Sequence, residues 1–284
     1  MAFIEETITA GDGLRLYTRR HEAGVPRAEV VIVHGFAEHS GRYGALTEHL
    51  LASGYSVTAY DQRGHGLSDG LPGHVENFKE YEDDLDKIIL LTRGRAAGRP
   101  LFVIGHSMGG LVTLGYLARK GGAVAVAGAV VSAPLIAMAV PVPAYLRMIA
   151  RLGLRFAPLA RLDNKIDPAV LSRDPAVGKA YAADPHVGRK VSMKWFAEAE
   201  RAMAEVKARA GQIRAPVLVM HGTNDRLASV EATRALFAEI GSSDKELAVY
   251  DGFYHELFNE PEKQDLYERV TLWLSERVSE SAAG

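Results

Sequence analysis

Six short apolar runs, each followed by a turn and a longer stretch of helical spacing, constrain the fold of this 284-residue sequence more than any other feature. They read EVVIVH at 29–34, YSVTAY at 55–60, PLFVIG at 100–105, a Val/Ala run at 124–131, PVLVM at 216–220 and KELAVY at 245–250. Runs without polar alternation suit strands buried on both faces of a parallel sheet. Helical patterns at 42–53, 78–95, 109–120, 229–240 and 262–279 fill the intervals. Alternating strands and helices predict an α/β fold, a mostly parallel central sheet with helices on both faces. Asp12-Gly13 lies between the alternating runs FIEETIT and LRLYTRR, a hairpin signal that predicts an antiparallel edge.

The alternation lapses between about Pro134 and Arg214, where the sequence reads as helices and loops without a convincing strand. We therefore expect a core made of 1–134 and 214–284, with 135–213 inserted as a cap. A helix over 144–156 would set Arg147, Arg151 and Arg155 on one face. Such a face suits solvent, or a lipid surface. A second cap helix is expected after Ser192, a good N-cap. Its Met193, Phe196 and Met203 fall on one stripe, better suited to packing than to a lipid groove.

Composition narrows the classes of function. Lys plus Arg number 33 against 35 Asp plus Glu, so no basic field exists to attract nucleic acid, and no nucleic-acid partner is expected. Cysteine is absent, which removes disulfides, thiolate metal sites and a cysteine nucleophile together. No H-E-x-x-H or similar ligand spacing appears, so no metal is expected. The opening MAFIEETITA lacks a basic region followed by an apolar one and does not read as a signal peptide. The uncharged run 121–146 is broken by Pro134, Pro141 and Pro143, and reads as a buried strand rather than a membrane span. The expected location is cytoplasmic, with the membrane surface within reach of the cap.

The chemistry concentrates at Gly105-His106-Ser107-Met108-Gly109, a G-x-S-x-G pattern directly after an apolar strand and before a helix. That context places a serine on a sharp turn with its hydroxyl exposed. Serine is a weak nucleophile without a base. Among ten histidines, His255 is the best base, because it follows the last strand on a loop over the sheet's carboxyl edge. His106 is expected to point away, His34 and His221 to pack at loop bases, and His39, His65 and His74 to lie in loops nearby. A buried acid must hold the base's tautomer. Asp225, just after PVLVM, fits that role. Asp61 is better placed to brace the 64–66 loop, and Asp251 is too close in sequence to His255. Attack on an ester carbonyl also needs two backbone N–H donors for the oxyanion. The amides of Met108 and Phe36 are the candidates.

His34-Gly35-Phe36-Ala37-Glu38-His39-Ser40-Gly41-Arg42-Tyr43, Asp61-Gln62-Arg63-Gly64-His65-Gly66-Leu67-Ser68, the Ser107 elbow and the Asp225 and His255 segments together resemble the monoacylglycerol lipases of the α/β-hydrolase superfamily. The cap segments 166–168, 171–175 and 181–185 share the resemblance, which spans about 3–279. It implies cofactor-free cleavage of a monoacylglycerol or similar acyl ester, and a cap that forms an apolar acyl tunnel and touches membranes or micelles. It also implies that Glu38, Arg42 and Tyr181 line the polar end receiving glycerol, since a diol head needs hydrogen-bond partners in an apolar pocket. Some members carry histidine three residues after the catalytic histidine, where this chain has Phe258, and some carry cap cysteines that are missing here. Lysophospholipids, with the cap arginines meeting phosphate, and short-chain esters are the neighbouring substrate classes. A hydrolase scaffold serving only to bind ligand is the alternative of another class.

Overall fold

Each apolar run becomes a strand because its neighbours can cover both of its faces. The computed structural model describes residues 3–123, 125–140 and 159–283. An eight-stranded sheet runs in the order β1-β2-β4-β3-β5-β6-β9-β10. The hairpin β1 (Ile4–Thr9) and β2 (Arg15–His21) is antiparallel, with Ile4 opposite Arg20 and Thr9 opposite Arg15. β2 also runs antiparallel to β4 (Tyr55–Tyr60). From β4 onward the sheet is parallel, through β3 (Ala28–Val33), β5 (Leu101–His106), β6 (Gly128–Ser132), β9 (Val217–Gly222) and β10 (Lys245–Tyr250). The described part of the expected 124–131 run pairs from Gly128 onward. β3, β4, β5, β6 and β9 are buried at every residue, as their sequences predict, while β10 at the edge is half-buried throughout.

Side chains of one strand alternate between two cores. Val31, Val33 and Val103 pack with α2 (Lys79–Arg95) and α3 (Met108–Lys120), and the same cluster includes residues of α5 (Met193–Arg209) and α6 (Val230–Glu239). Val30, Ile32 and Ile104 pack on the other face with α1 (Gly44–Ala52) and α7 (Lys263–Ala283), whose Trp273 is fully buried. Each such aliphatic side chain contributes about 1.5–3 kcal/mol on burial.

The chain leaves the sheet at the carboxyl end of β6 and returns at β9. In between lie α4 (Pro175–Ala183), capped by Asp174, and α5 (Met193–Arg209), capped by Ser192, whose hydroxyl accepts from the Trp195 amide at 2.9 Å. The insertion does contain strands: β7 (Arg161–Asp163) pairs antiparallel with β8 (Lys190–Ser192). Three residues are too few to display alternation, so sequence pattern could not reveal them. The helix expected over 144–156, with Arg147, Arg151 and Arg155, lies outside the described residues.

Several contacts seat the insertion on the core. His39 pairs with Asp184 at 2.9 Å, His74 with the Ser192 hydroxyl at 2.9 Å, and Arg173 with Glu260 at 2.7 Å. α5 packs against α3. No helix among the described residues is long and apolar enough to cross a membrane.

Candidate active site

At the end of β5 the backbone turns at Ser107 with φ 52° and ψ −114°, and α3 begins at the next residue. A non-glycine residue held in that region stores about 1–3 kcal/mol of strain. Neighbouring groups hold it there. The Ser107 amide donates to the Ser132 carbonyl at 2.9 Å, and its carbonyl accepts from the Leu111 and Leu135 amides, each at 3.0 Å. Gly109 is required by proximity, because a Cβ there would overlap the carbonyl oxygens of Val33 and His34. The first turn of α3 is thereby pressed onto the end of β3.

The loop leaving β3 presses back on the serine. A Cβ at Gly35 would lie 3.2 Å from the Ser107 Cβ and 2.8 Å from Glu38 Oε1. Ala37 in the same loop is also in the left-handed region, at φ 59°. Among the described residues, the amides of Phe36 and Met108 donate to no protein acceptor. Two free N–H groups beside a strained serine are what an oxyanion requires.

His255 is buried, and its Nδ1 lies 2.7 Å from Asp225 Oδ2. Asp225 is ionised and can only accept, so Nδ1 carries the proton and the Nε2 lone pair is left free. Burial alone would raise the Asp225 pKa, but His255, His221 and their hydrogen bonds outweigh it and hold the carboxyl far below its ordinary range. Burial alone would lower the His255 pKa, and the Asp225 carboxylate, with Glu256 and Glu38 farther off, more than reverses that. Ser107 and His255 both line one cavity of about 570 Å³. Among the described residues their side chains do not hydrogen-bond to each other. Such bonds are often long before substrate arrives and tighten in the complex.

Glu38, Arg42 and Tyr181 reach the same cavity, and they do so as a connected network. Arg42 sits between two carboxylates, 2.9 Å from Glu38 and 2.6 and 2.8 Å from the two oxygens of Glu256. Glu38 Oε1 also accepts from the Gly35 amide and from the Tyr43 hydroxyl, the latter at 2.7 Å. Burial pushes the Glu38 pKa up, but Arg42, His106, His34 and Tyr43 hold it down to about 2. The Arg42 guanidinium lies over the Tyr181 ring, 5.0 Å from its centre. The Tyr181 hydroxyl is buried and has no hydrogen-bond partner among the described residues. Burial, followed by the nearby Glu38 charge, pushes it up to about 12, so it remains an O–H donor.

Glu256 escaped the sequence reading, although it adjoins His255, because its partner Arg42 is 214 residues away. Replacing Arg42 with alanine would leave two buried carboxylates facing each other. We expect a loss of about 3–5 kcal/mol, the cost of breaking a buried pair, measurable as a lower urea midpoint at unchanged slope.

His106 corrects another expectation. It lines the cavity rather than turning away, with its ring 4.8 Å from that of His255. Burial, then the like charge of His255, lowers its pKa to about 3, so it is neutral at working pH. His34 and His221 pack at loop bases as expected, and His221 additionally touches Asp225. His65 packs edge-on against Phe36. Asp61 accepts from the Ser40 and Leu67 amides, each at 2.8 Å, bracing the loops on either side of it. The rest of the cavity wall is mainly apolar, with Leu135, Ile136 and Leu227 and, on α5, Trp195, Phe196 and Met203, interrupted by Asn164, Glu200 and Lys207. Phe196 and Met203 pack with the hydrophobic core, as expected, and also border the cavity.

Residues 24–262 match the family model Hydrolase_4, described as serine aminopeptidase, S33. The chain is 37% identical over 250 residues to a monoacylglycerol lipase of Mycolicibacterium smegmatis, covering 88% of each chain. It is 32% identical to phospholipase YtpA of Bacillus subtilis, covering 90% of this chain and 98% of that one. Its backbone superimposes with a TM-score of 0.84 on the crystal structure of a Paleococcus ferrophilus monoacylglycerol lipase, at 35% identity, covering 92% of this chain and 99% of the other. With a parallel sheet, a strained serine at the β5–α3 turn and these relatives along most of its length, the chain belongs to the Hydrolase_4 family of α/β-hydrolases, beside the monoacylglycerol lipases.

Proposed function

We propose that this protein is a serine ester hydrolase that cleaves monoacylglycerols to a free fatty acid and glycerol. The observation that carries the reading is one mostly apolar cavity that holds Ser107 and His255 together with the polar groups of Glu38, Arg42 and Tyr181. An acyl chain fits the apolar wall and a diol the polar part. The relatives named as monoacylglycerol lipases support the same substrate.

In this reading Ser107 attacks the ester carbonyl while His255 Nε2 takes its proton, and Asp225 stabilises the imidazolium. The Phe36 and Met108 amides hold the oxyanion, each worth roughly 2.7–4 kcal/mol in the transition state. Glycerol leaves with the proton from His255, and water then releases the fatty acid from Ser107. The free Tyr181 hydroxyl is the group best placed to meet a glycerol hydroxyl directly. Arg42 and Glu38 support it from behind, and Glu38 also tethers the Phe36 loop through the Gly35 amide.

The base works only when neutral. Because the folded protein raises the His255 pKa, protonated enzyme persists to higher pH than for a free histidine. The acidic limb of kcat/KM is therefore expected above the ordinary value of about 6.5, and a pH–rate profile checks it. The linked stability has the matching sign. The charged pair of His255 and Asp225 favours the fold below the unfolded pKa, and this contribution fades as pH rises through the folded one.

Residues 135–213 act in this reading as a cap over the cavity. Met138 (38% exposed), Val140 (73%), Leu159 (56%) and Leu162 (59%) give its described margins apolar residues for contact with a membrane or micelle. The B. subtilis relative named a phospholipase makes lysophospholipid the second substrate class to test. Aminopeptidase chemistry is disfavoured, because two of the acidic side chains at the cavity, Glu38 and Glu256, are already engaged by Arg42, and Glu38 accepts from Gly35 and Tyr43 as well. Hydrolysis of 1-monoacylglycerol, lysophosphatidylcholine and p-nitrophenyl esters of matched chain length should rank the monoacylglycerol first in kcat/KM. A higher kcat/KM for the lysophospholipid would overturn the substrate assignment.

A further inference from the structure

The Asp225 carboxylate is claimed by two histidines, of which the mechanism above uses one. His221, the fifth residue of β9, is fully buried. Its Nε2 lies 3.1 Å from Asp225 Oδ2 and 3.3 Å from the Ala228 carbonyl oxygen. Both neighbours are acceptors, so Nε2 carries the hydrogen. Its Nδ1 is buried with no hydrogen-bond partner among the described residues. A hydrogen carried there instead would have no acceptor, which is costly. The His221 hydrogen is thus directed from Nε2 at Asp225. Meanwhile Asp225 Oδ1 accepts from the Leu227 and Ala228 amides at 2.7 and 2.9 Å, so the turn fixes that oxygen and presents Oδ2 to both rings.

We propose that His221 is a positioning residue for the Asp225–His255 pair, donating to the same oxygen that His255 uses. The inference rests on the hydrolase reading above. It has two consequences. The second imidazole N–H fixes the plane of the carboxylate, so the His255 ring is aimed by a partner that cannot swing. It also withdraws charge from Oδ2 and so limits how far Asp225 raises the basicity of His255. The other groups facing His255 are His106, Glu38 and Glu256, and Asp225 faces His255 and His221. A change at position 221 leaves all the others in place.

The test compares His221→Leu with His221→Gln on a p-nitrophenyl acyl ester. His221→Leu removes the donor. It should lower kcat about 10- to 100-fold, the rate equivalent of one hydrogen bond to a charged group, with KM little changed. The acidic limb of kcat/KM should move to higher pH, because Oδ2 regains charge facing His255. His221→Gln can place an amide N–H at Oδ2 and should restore most of the rate and the limb. Wild-type kcat in folded His221→Leu would overturn the proposal. So would a lowered melting temperature with an unshifted limb, which is the signature of packing alone. Wild-type protein gives a reading independent of any variant's folding. Histidine ¹H–¹⁵N correlation spectra should show His221 with a hydrogen on Nε2, and a ring whose single hydrogen sits on Nδ1 would overturn the proposal. Labelling of wild-type Ser107 by a fluorophosphonate separates the two levels. Unlabelled folded protein would overturn the hydrolase reading, whereas labelled protein with an indifferent His221→Leu overturns only the role of His221.

Discussion

Replacing Ser107 with alanine is expected to lower kcat on acyl esters by about 10⁶, the scale of losing a triad nucleophile, and to leave the fold intact. The hydroxyl makes no hydrogen bond to the described residues, so its loss strips no partner from a buried group. The strained turn survives, because it is imposed by the Ser132 carbonyl, the Leu135 amide and the close approach of Gly35 and Gly109 rather than by the hydroxyl. What remains is cavity binding and the two free amides, worth roughly 10³–10⁴ over the uncatalysed reaction. Turnover of a p-nitrophenyl ester, fluorophosphonate labelling and a melting curve check this together. A folded Ser107→Ala protein that turns over like the wild type would falsify the proposed mechanism.

Asp225→Asn is expected to cost about 10⁴ in kcat, the penalty of holding the base in the wrong tautomer, and in contrast to the serine it should also cost stability. Asp225 accepts four N–H groups, from Leu227, Ala228, His221 and His255. Asparagine offers one acceptor oxygen and one NH₂. With its oxygen toward the loop amides, the NH₂ confronts two imidazole donors. His255 must then surrender its Nδ1 proton and carry the hydrogen on Nε2, where the lone pair is needed. Turned the other way, the NH₂ opposes the two amides of the turn. Either way a buried donor is orphaned, at about 1–3 kcal/mol. Steady-state kinetics and urea denaturation on one preparation read both effects. Near-wild-type kcat would remove Asp225 from the mechanism.

The three residues proposed to carry the chemistry could be singled out because each sits in a self-announcing local context. Ser107 lies between an apolar strand and a helix, Asp225 just past PVLVM and His255 past KELAVY. In a parallel sheet those junctions all fall at the carboxyl edge, so placement followed from strand recognition alone. Other parts carried no such signal. β7 and β8 are too short to alternate. Met193, Phe196 and Met203 form a stripe that fits packing as well as an open wall, and periodicity does not say which neighbour fills the space. His106 was expected to turn from the site, since a residue beside a strained serine has no preferred direction until the backbone angle is known.

Glu256 and His221 show where local reading stops. A glutamate after a catalytic histidine and a histidine at a strand end are unremarkable in one dimension. Their roles arise from Arg42 and Asp225, which other segments deliver. The sequence alone determined the sheet, the order of its helices and the junctions at which polar groups gather, because periodicity and turn chemistry act over a few residues. Only the tertiary structure decided which of those groups touch, that Arg42 bridges two carboxylates and that Asp225 answers to two rings. Contacts between distant segments depend on strand order and loop path, which no short window of residues encodes.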